Sequence, residues 1–164
     1  MTKDSMHRTS NLPTKFLMEF SASVLPELKI ERDRRGRKLS ICHFSGGTFL
    51  GPRLRGTLLP GGGDWAEYES KQLLRIHVKG TLKTHDEALI FLQYTGIWRT
   101  KPGVLQKVLS ENGHKHFRKN ENYLRVFASF ETDAPAYSWL NEILAIGIGR
   151  KSATGVVYEF HELQ

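Results

Sequence analysis

A chain of 164 residues, 39% of them hydrophobic, is long enough to bury one sizeable core, and a single domain is expected. No run of about 18 apolar residues occurs, which excludes a membrane-spanning helix, and residues 1–12 lack the apolar centre of a secretory signal. The single cysteine, Cys42, excludes an internal disulfide. These features favour a cytoplasmic protein without a membrane partner.

The net charge of +7 is distributed unevenly along the chain. Basic residues concentrate in 29–38 and in 114–119, and both segments are predicted to be solvated loops. A basic barrel that binds nucleic acid is the alternative. It is the less favoured one, because the charges do not follow a strand studded with aromatic residues.

The predicted elements begin after a disordered tail over residues 1–12, so that the domain covers residues 13–164. Most of the elements are short segments that alternate apolar and polar residues, which is typical of half-buried strands. Gly51-Pro52 and Gly56 are expected to kink the strand that contains them. The predicted strands cover residues 16–22, 39–44, 48–59, 73–79, 89–94, 123–130, 140–149 and 155–163.

Helical signals are few. Apolar residues in 104–109, followed by Gly113, predict one short helix, and the proline-containing segment 134–139 predicts a further helical turn. Residues 84–87 read as a hairpin turn. Many strands with one small helix indicate an all-β domain, either a sandwich or a barrel.

The most informative segment is residues 46–65, which contains seven glycines and two prolines. Its flanks are apolar and β-prone, so we predict an ordered loop that presents the carboxylate of Asp64 beside the indole of Trp65. Packing against an aromatic ring would remove water from the carboxylate and raise the pKa of Asp64 towards the range of a general base. Alternatively, Asp64 accepts backbone N–H groups and stabilises the glycine turn.

Residues 41–65 also carry a pattern seen in a known family. The matching positions are Gly46-Gly47, Phe49, Gly51-Pro52, Leu54, Gly56, Leu59-Pro60-Gly61-Gly62 and Asp64-Trp65. This pattern resembles the signature of the domain of unknown function numbered 3237, and residues 82–90 and 130–149 are similar to later elements of that family. The resemblance implies a closed antiparallel β-barrel, calycin-like or lipocalin-like in shape, that is often a homo-oligomer, with a dimer favoured. It implies no settled activity.

The chain departs from the family pattern in the turn at 84–87. The family usually has Asp-Gly there, whereas this chain has Asp86-Glu87. A turn that demands glycine would be strained by Glu87 or would change its shape. The long polar segment 101–122 is a candidate for a loop that covers the mouth of the barrel.

Two carboxylates are the candidate catalytic residues, Asp64 and Asp86, acting as an acid–base pair. The alternative for Asp86 is an ordinary turn aspartate. Arg53 and Arg55 are predicted on one strand face, where they could bind a substrate carboxylate or simply be exposed. The other residues predicted to bind substrate are Trp65, Tyr94, Arg99 and Trp139, the last of which could instead pack in the core.

No phosphate-binding loop, dinucleotide fingerprint or nucleophile elbow is present in the sequence. We therefore predict no cofactor and no metal. The leading hypothesis is a cofactor-independent enzyme of isomerase, lyase or cyclase type that transfers a proton on an aromatic or carbonyl-containing metabolite. The alternative is a non-catalytic barrel that binds a small molecule.

Overall fold

The computed structural model describes residues 12–31 and 33–164, so the predicted tail lies almost wholly outside the described residues. The described chain contains ten strands, one α-helix and two short 3-10 helices. The strands are β1 (Thr14–Val24), β2 (Leu28–Ile30), β3 (Lys38–Leu50), β4 (Arg55–Leu58), β5 (Gly63–Ser70), β6 (Leu73–Thr84), β7 (Leu89–Thr100), β8 (Asn122–Glu131), β9 (Ala145–Lys151) and β10 (Gly155–Leu163). The helices are α1 (Val104–Leu109) and the 3-10 helices Gly113–His116 and Pro135–Glu142.

The strands form a closed antiparallel barrel, as the family resemblance implies. Going round it, the order is β1, β10, β9, β8, β7, β6, then β4 and β5 end to end, then β3, which pairs with β1 and closes the ring. Because β4 and β5 share one place, the ring has eight positions. Closure leaves the main ring without a free edge.

The alternation seen in the sequence sorts side chains between the inside and the outside of the barrel. On β6, Leu74, Ile76 and Val78 are buried in the interior, whereas Arg75 and His77 between them are exposed. Strands β7, β8 and β10 follow the same period of two. The interior is therefore built from one face of each strand, as expected for a small barrel.

The two ends of the barrel differ. At one end, which we call the closed end, the 3-10 helix Pro135–Glu142 buries Tyr137 and Leu140 beneath the β6–β7 turn. At the other end, which we call the mouth, α1 lies in the connection from β7 to β8 and buries Leu105 and Val108 against the core. The predicted covering segment 101–122 does lie at this mouth. No helix in residues 12–31 and 33–164 is both long and apolar enough to cross a membrane.

Several strand boundaries differ from the sequence predictions. The predicted strand 39–44 and the first residues of the predicted strand 48–59 belong to one strand, β3, which ends at Leu50. The rest of 48–59 contains the separate short strand β4. The predicted strand 140–149 begins only at Ala145, because the 3-10 helix extends to Glu142. The predicted loop around Asp64 is the start of a strand, β5.

Candidate functional site

Asp64 is the second residue of β5, which lies between β3 and β6. It pairs with Cys42 on β3 and with Val78 on β6, so its side chain projects into the barrel. The glycines before Asp64 allow the backbone to adopt positive φ and to pass close to β6, which places Asp64 at this position. A Cβ at Gly62 would lie 2.4 Å from the carbonyl oxygen of Lys79, and both Gly62 (φ 68°) and Gly63 (φ 154°) have positive φ.

The side chain of Asp64 faces an interior cavity of about 240 Å³ that opens towards the mouth. One wall of the cavity is aliphatic and is formed by Leu74, Ile76, Val78 and Leu124. Polar groups are few and come from different strands, which is typical of sites for small molecules. Leu109 at the end of α1 also lines the cavity, so the covering segment contributes to its wall.

The cavity changes the acidity of Asp64. Asp64 is half-buried and lines the cavity, and desolvation raises the pKa of Asp64 from 3.8 to about 7. A hydrogen bond from the backbone N–H of His77 to Oδ1, 2.9 Å long, acts in the opposite direction but is the smaller effect. Asp64 therefore exchanges a proton near neutral pH, where an acid–base catalyst is most effective.

Two tyrosines lie beside Asp64 in the cavity. The rings of Tyr94 and Tyr158 are 5.2 Å apart, and Phe20 and Phe160 pack behind them. Burial, together with the charge of Asp64, raises the pKa of both phenols well above the ordinary value. Both therefore remain protonated hydrogen-bond donors at neutral pH.

At the mouth, Glu27 is held by three neighbours. The hydroxyl of Ser40 donates to its Oε1 at 2.5 Å, the hydroxyl of Tyr68 donates to the same oxygen at 3.4 Å, and the ammonium of Lys29 lies 3.3 Å from Oε2. Burial, followed by the charge of Glu27, raises the pKa of Tyr68. Lys151, at the end of β9, lines the same cavity.

Of the residues predicted from the sequence, Asp64 and Tyr94 line this cavity. Trp65 does not, because adjacent residues of a strand point to opposite faces. Its indole is 41% exposed on the outside of the barrel, with its edge towards His43 at 5.9 Å. The raised pKa of Asp64 therefore comes from the cavity and not from Trp65. Arg99 also lies outside, over the ring of Tyr123 at 5.1 Å.

Asp86 belongs to the closed end, and the structure does not bring it to Asp64. Thr84 lies six residues beyond Val78, roughly 20 Å along β6, and Asp86 follows in the turn. Its Oδ1 accepts hydrogen bonds from Thr84 (2.5 Å) and Tyr137 (2.8 Å), which hold the pKa of Asp86 below its ordinary value. This geometry is that of a turn aspartate that anchors a helix.

The predicted arginine pair is also at the closed end. Arg53 lies in the connection after β3 and not on a strand, so it does not share a strand face with Arg55. Its guanidinium stacks over the ring of Trp139 at 3.7 Å and forms an ion pair with Glu162. Arg55 begins β4, and its side chain is exposed. The contacts of Arg53 connect the segment after β3 to the 3-10 helix Pro135–Glu142 and to β10 at the closed end.

Sequence reasoning missed Tyr158, Lys151 and Glu27 as cavity residues. The alternation of Val156, Tyr158 and Phe160 could have predicted that Tyr158 faces the interior, since all three share one strand face. Lys151 and Glu27 stand at strand ends or in connections, where alternation gives no direction. In the described part of the chain, no group of three or more His, Cys, Asp or Glu residues is arranged to hold a metal ion.

Comparison with known proteins gives relatives of the same length and fold. UPF0311 proteins of Rhodopseudomonas palustris and Bradyrhizobium diazoefficiens are 26% and 25% identical over 155 residues, covering 94% of this chain and 99% of each relative. A solved β-barrel-like protein from Acinetobacter baumannii is 30% identical, with a TM-score of 0.78 over 94% of this chain and 99% of that one.

A more distant solved structure, described as an enzyme from Penicillium herquei, is 17% identical with a TM-score of 0.68, covering 93% of this chain and 94% of that one. At that identity the likeness concerns the fold alone. The model of the family described as protein of unknown function (DUF3237) matches residues 13–163. This match spans nearly the whole barrel and includes the glycine-rich approach to Asp64, and the chain therefore belongs to the DUF3237 family.

Proposed function

We propose that this protein is a cofactor-independent enzyme that transfers a proton on a small aromatic or carbonyl-containing molecule bound in the cavity. The observation that carries the proposal is the carboxyl group of Asp64, which has a pKa of about 7 and faces a largely apolar cavity. Such a group removes a proton when ionised and returns it when protonated. Isomerisation, elimination and cyclisation all require that exchange.

The phenols of Tyr94 and Tyr158 supply the complementary role. Removal of a proton next to a carbonyl places negative charge on the carbonyl oxygen, and positioned donors stabilise that charge. Both phenols line the same cavity as Asp64, and both remain protonated at neutral pH. In this proposal they replace Asp86 as the partners of Asp64.

The fold is compatible with catalysis. The Penicillium herquei protein of similar fold is described as an enzyme, although a shared fold is only an analogy and function depends on the site. The second candidate function, a non-catalytic binding barrel, is favoured by the aliphatic wall, which would hold an apolar molecule without any chemistry.

Hydrogen–deuterium exchange distinguishes the two functions without knowledge of the natural substrate. Small aryl ketones such as 2-tetralone exchange the protons next to the carbonyl in D₂O, and NMR follows the loss of those protons. We expect the protein to accelerate this exchange, with a rate that rises as the pH increases through about 7 because the base must be ionised. Asp64→Asn should reduce the acceleration by about 100-fold or more.

Asp86→Asn is the matched control, since it removes the same charge from the closed end and should leave the exchange rate unchanged. A wild-type protein that binds 2-tetralone but does not accelerate exchange would identify a carrier. In that case Asp64→Asn would change the affinity alone.

A further inference from the structure

Lys151 is a cation that faces the cavity and has no carboxylate partner in the described part of the chain. It is the last residue of β9 and is half-buried. Among the described residues that line the cavity, it is the only lysine or arginine. Its Nζ donates to the carbonyl oxygen of Gly155 at 3.2 Å, and none of the ion pairs within residues 12–31 and 33–164 includes it. An ammonium group has three N–H donors, so two remain for a ligand or water.

The acidic groups of the cavity do not neutralise this cation. Glu27 is already bound by Ser40, Tyr68 and Lys29. Asp64 has a pKa of about 7 and is largely uncharged below neutral pH. The remaining acidic neighbour, the Cys42 thiol, has a pKa raised by burial and stays neutral. Nζ of Lys151 therefore has no carboxylate at ion-pair distance within the described residues, and burial lowers the pKa of Lys151.

We propose that the cavity takes small aromatic molecules that carry an anionic oxygen, such as a carboxylate, and that this oxygen pairs with Nζ of Lys151. The inference rests on the proposed function, because it names the class of molecule on which Asp64 acts. Lys151 thus has the anion-binding role that the sequence suggested for Arg53 and Arg55, both of which lie at the closed end.

The wall between the two polar ends fits the apolar part of such a molecule. Leu74 pairs with Trp98 near the mouth, and Val78 pairs with Asp64 deeper in the barrel. Leu74, Ile76 and Val78 therefore form a continuous aliphatic path from the mouth to the carboxyl group of Asp64. An aromatic ring on this path would have its anionic group at Lys151 and its opposite edge towards Asp64.

Benzoate and benzamide test the inference, because they have nearly the same shape and differ in charge. We expect the wild type to bind benzoate at least about tenfold more tightly than benzamide by calorimetry, since the carboxylate forms an ion pair with the ammonium of Lys151 and the neutral amide does not. Lys151→Met should abolish this preference and should lower the affinity for benzamide far less than the affinity for benzoate. Lys151→Arg, which keeps the charge, should retain most of the preference.

Lys71→Met is the matched control, since Lys71 is an exposed lysine near the mouth that does not line the cavity. It should bind both probes as the wild type does. Should Lys151→Met fail to fold, the wild type gives an independent test. In the benzoate complex, NMR should show a nuclear Overhauser contact between the ring protons and the ε-methylene of Lys151, and its absence would overturn the inference.

The outcomes separate this inference from the proposed function. Equal affinities of the wild type for benzoate and benzamide, or an undiminished preference in Lys151→Met, would overturn the role of Lys151 and leave the exchange of 2-tetralone as the test of Asp64. A benzoate preference without any exchange of 2-tetralone would support the anion site in a binding protein and overturn the enzyme. If the wild type binds neither probe at millimolar concentration, the anion site is overturned. The cavity would then no longer support the proposal that the protein is an enzyme.

Discussion

At the scale of single residues, the carboxyl group of Asp64 loses most of its hydration when the barrel closes, and little replaces it. Only the N–H of His77 donates to it within the described residues. An ionised Asp64 therefore costs folding free energy, whereas Asp86, with two hydroxyl donors, is stabilised in its ionised form. A desolvated carboxylate that lowers the stability of the fold is typical of a functional site, because a shifted pKa serves catalysis although it costs folding free energy.

This contrast predicts the pH dependence of stability. The folded pKa of Asp64, about 7, lies above the ordinary value of 3.8, so the folded state holds the proton more tightly and stability falls as the pH rises from about 4 to about 7. At pH 8 the ionised carboxylate costs about 2–4 kcal/mol. Asp64→Asn should remove that cost, and urea unfolding at pH 5 and pH 8 measures the difference.

Asp86→Asn is the control for this experiment and has the opposite sign. The depressed pKa of Asp86 contributes stability at pH values above the ordinary value, and that stability is lost as the pH falls through the folded pKa. Asp86→Asn should therefore be less stable than the wild type at pH 8. An Asp64→Asn variant whose stability follows the same pH curve as the wild type would contradict the raised pKa.

At the scale of elements, the β6–β7 turn places Glu87 in the left-handed backbone conformation, which is unfavourable for a residue other than glycine. The N–H of Glu87 donates to the carbonyl oxygen of Thr84 at 3.0 Å, and Glu87 has a φ of 72°. The strain expected from Asp86-Glu87 in place of Asp-Gly is thus present in the backbone. The turn is held because Asp86 anchors Tyr137 and the 3-10 helix of the closed end.

Glu87→Gly should stabilise the protein by about 1 kcal/mol, because glycine adopts the left-handed conformation without a steric penalty. Glu87→Ala is the control. It retains the strain and loses only the exposed ion pair with Lys83, so it should change stability by less than about 0.5 kcal/mol. Urea unfolding measures both, and a glycine variant no more stable than the alanine variant would contradict the strain.

The segment at the mouth gives a second prediction at this scale. Leu109 of α1 is partly buried and lines the cavity, so Leu109→Trp should fill the entrance. We expect the affinity for benzamide to fall by about tenfold or more, equivalent to about 1.4 kcal/mol. Lys107→Trp, on the exposed side of α1, is the control and should bind benzamide normally. Unchanged binding in Leu109→Trp would show that the ligand enters elsewhere.

The sequence predicted elements well where one strand face is consistently apolar, as on β6, and where a proline marks a helical turn, as before Tyr137. It predicted Asp64 as the main candidate catalytic residue but placed it beside Trp65, which lies outside the barrel. The side chains around Asp64 come from β3, β7 and β10, which are far apart in the chain. Which strands meet is decided by closure of the barrel, and local alternation contains no information on that.

At the scale of the whole molecule, the distribution of charge argues for a site inside the barrel. In the basic segment 29–38, Arg37 pairs with Asp33 and Glu67, and Lys38 pairs with Glu31. These pairs reduce the positive field that a nucleic-acid surface would require. The cation of Lys151, in contrast, lies at the cavity without a carboxylate partner among the described residues.

Exposed apolar residues lie side by side on the outer surface of β8 and β9. Phe127 is 59% exposed and pairs across the sheet with Ile146, and Ile148, which is 43% exposed, lies diagonally beside it. Exposed apolar residues that are adjacent on a sheet are typical of interaction surfaces. The homo-dimer implied by the family resemblance therefore has a candidate interface, which a symmetric pair of copies would share.

Phe127→Glu tests this expectation. If two copies pack through β8 and β9, a charge at the centre of the interface should raise the dissociation constant by about 30-fold or more, since a central aromatic residue contributes about 2 kcal/mol or more. Leu50→Glu is the matched control, because Leu50 is 64% exposed on β3, away from this face. Sedimentation velocity should find dimers for the wild type and for Leu50→Glu, and monomers for Phe127→Glu at the same concentration. A monomeric wild type would contradict the dimer, and a dimeric Phe127→Glu would place the interface on another face.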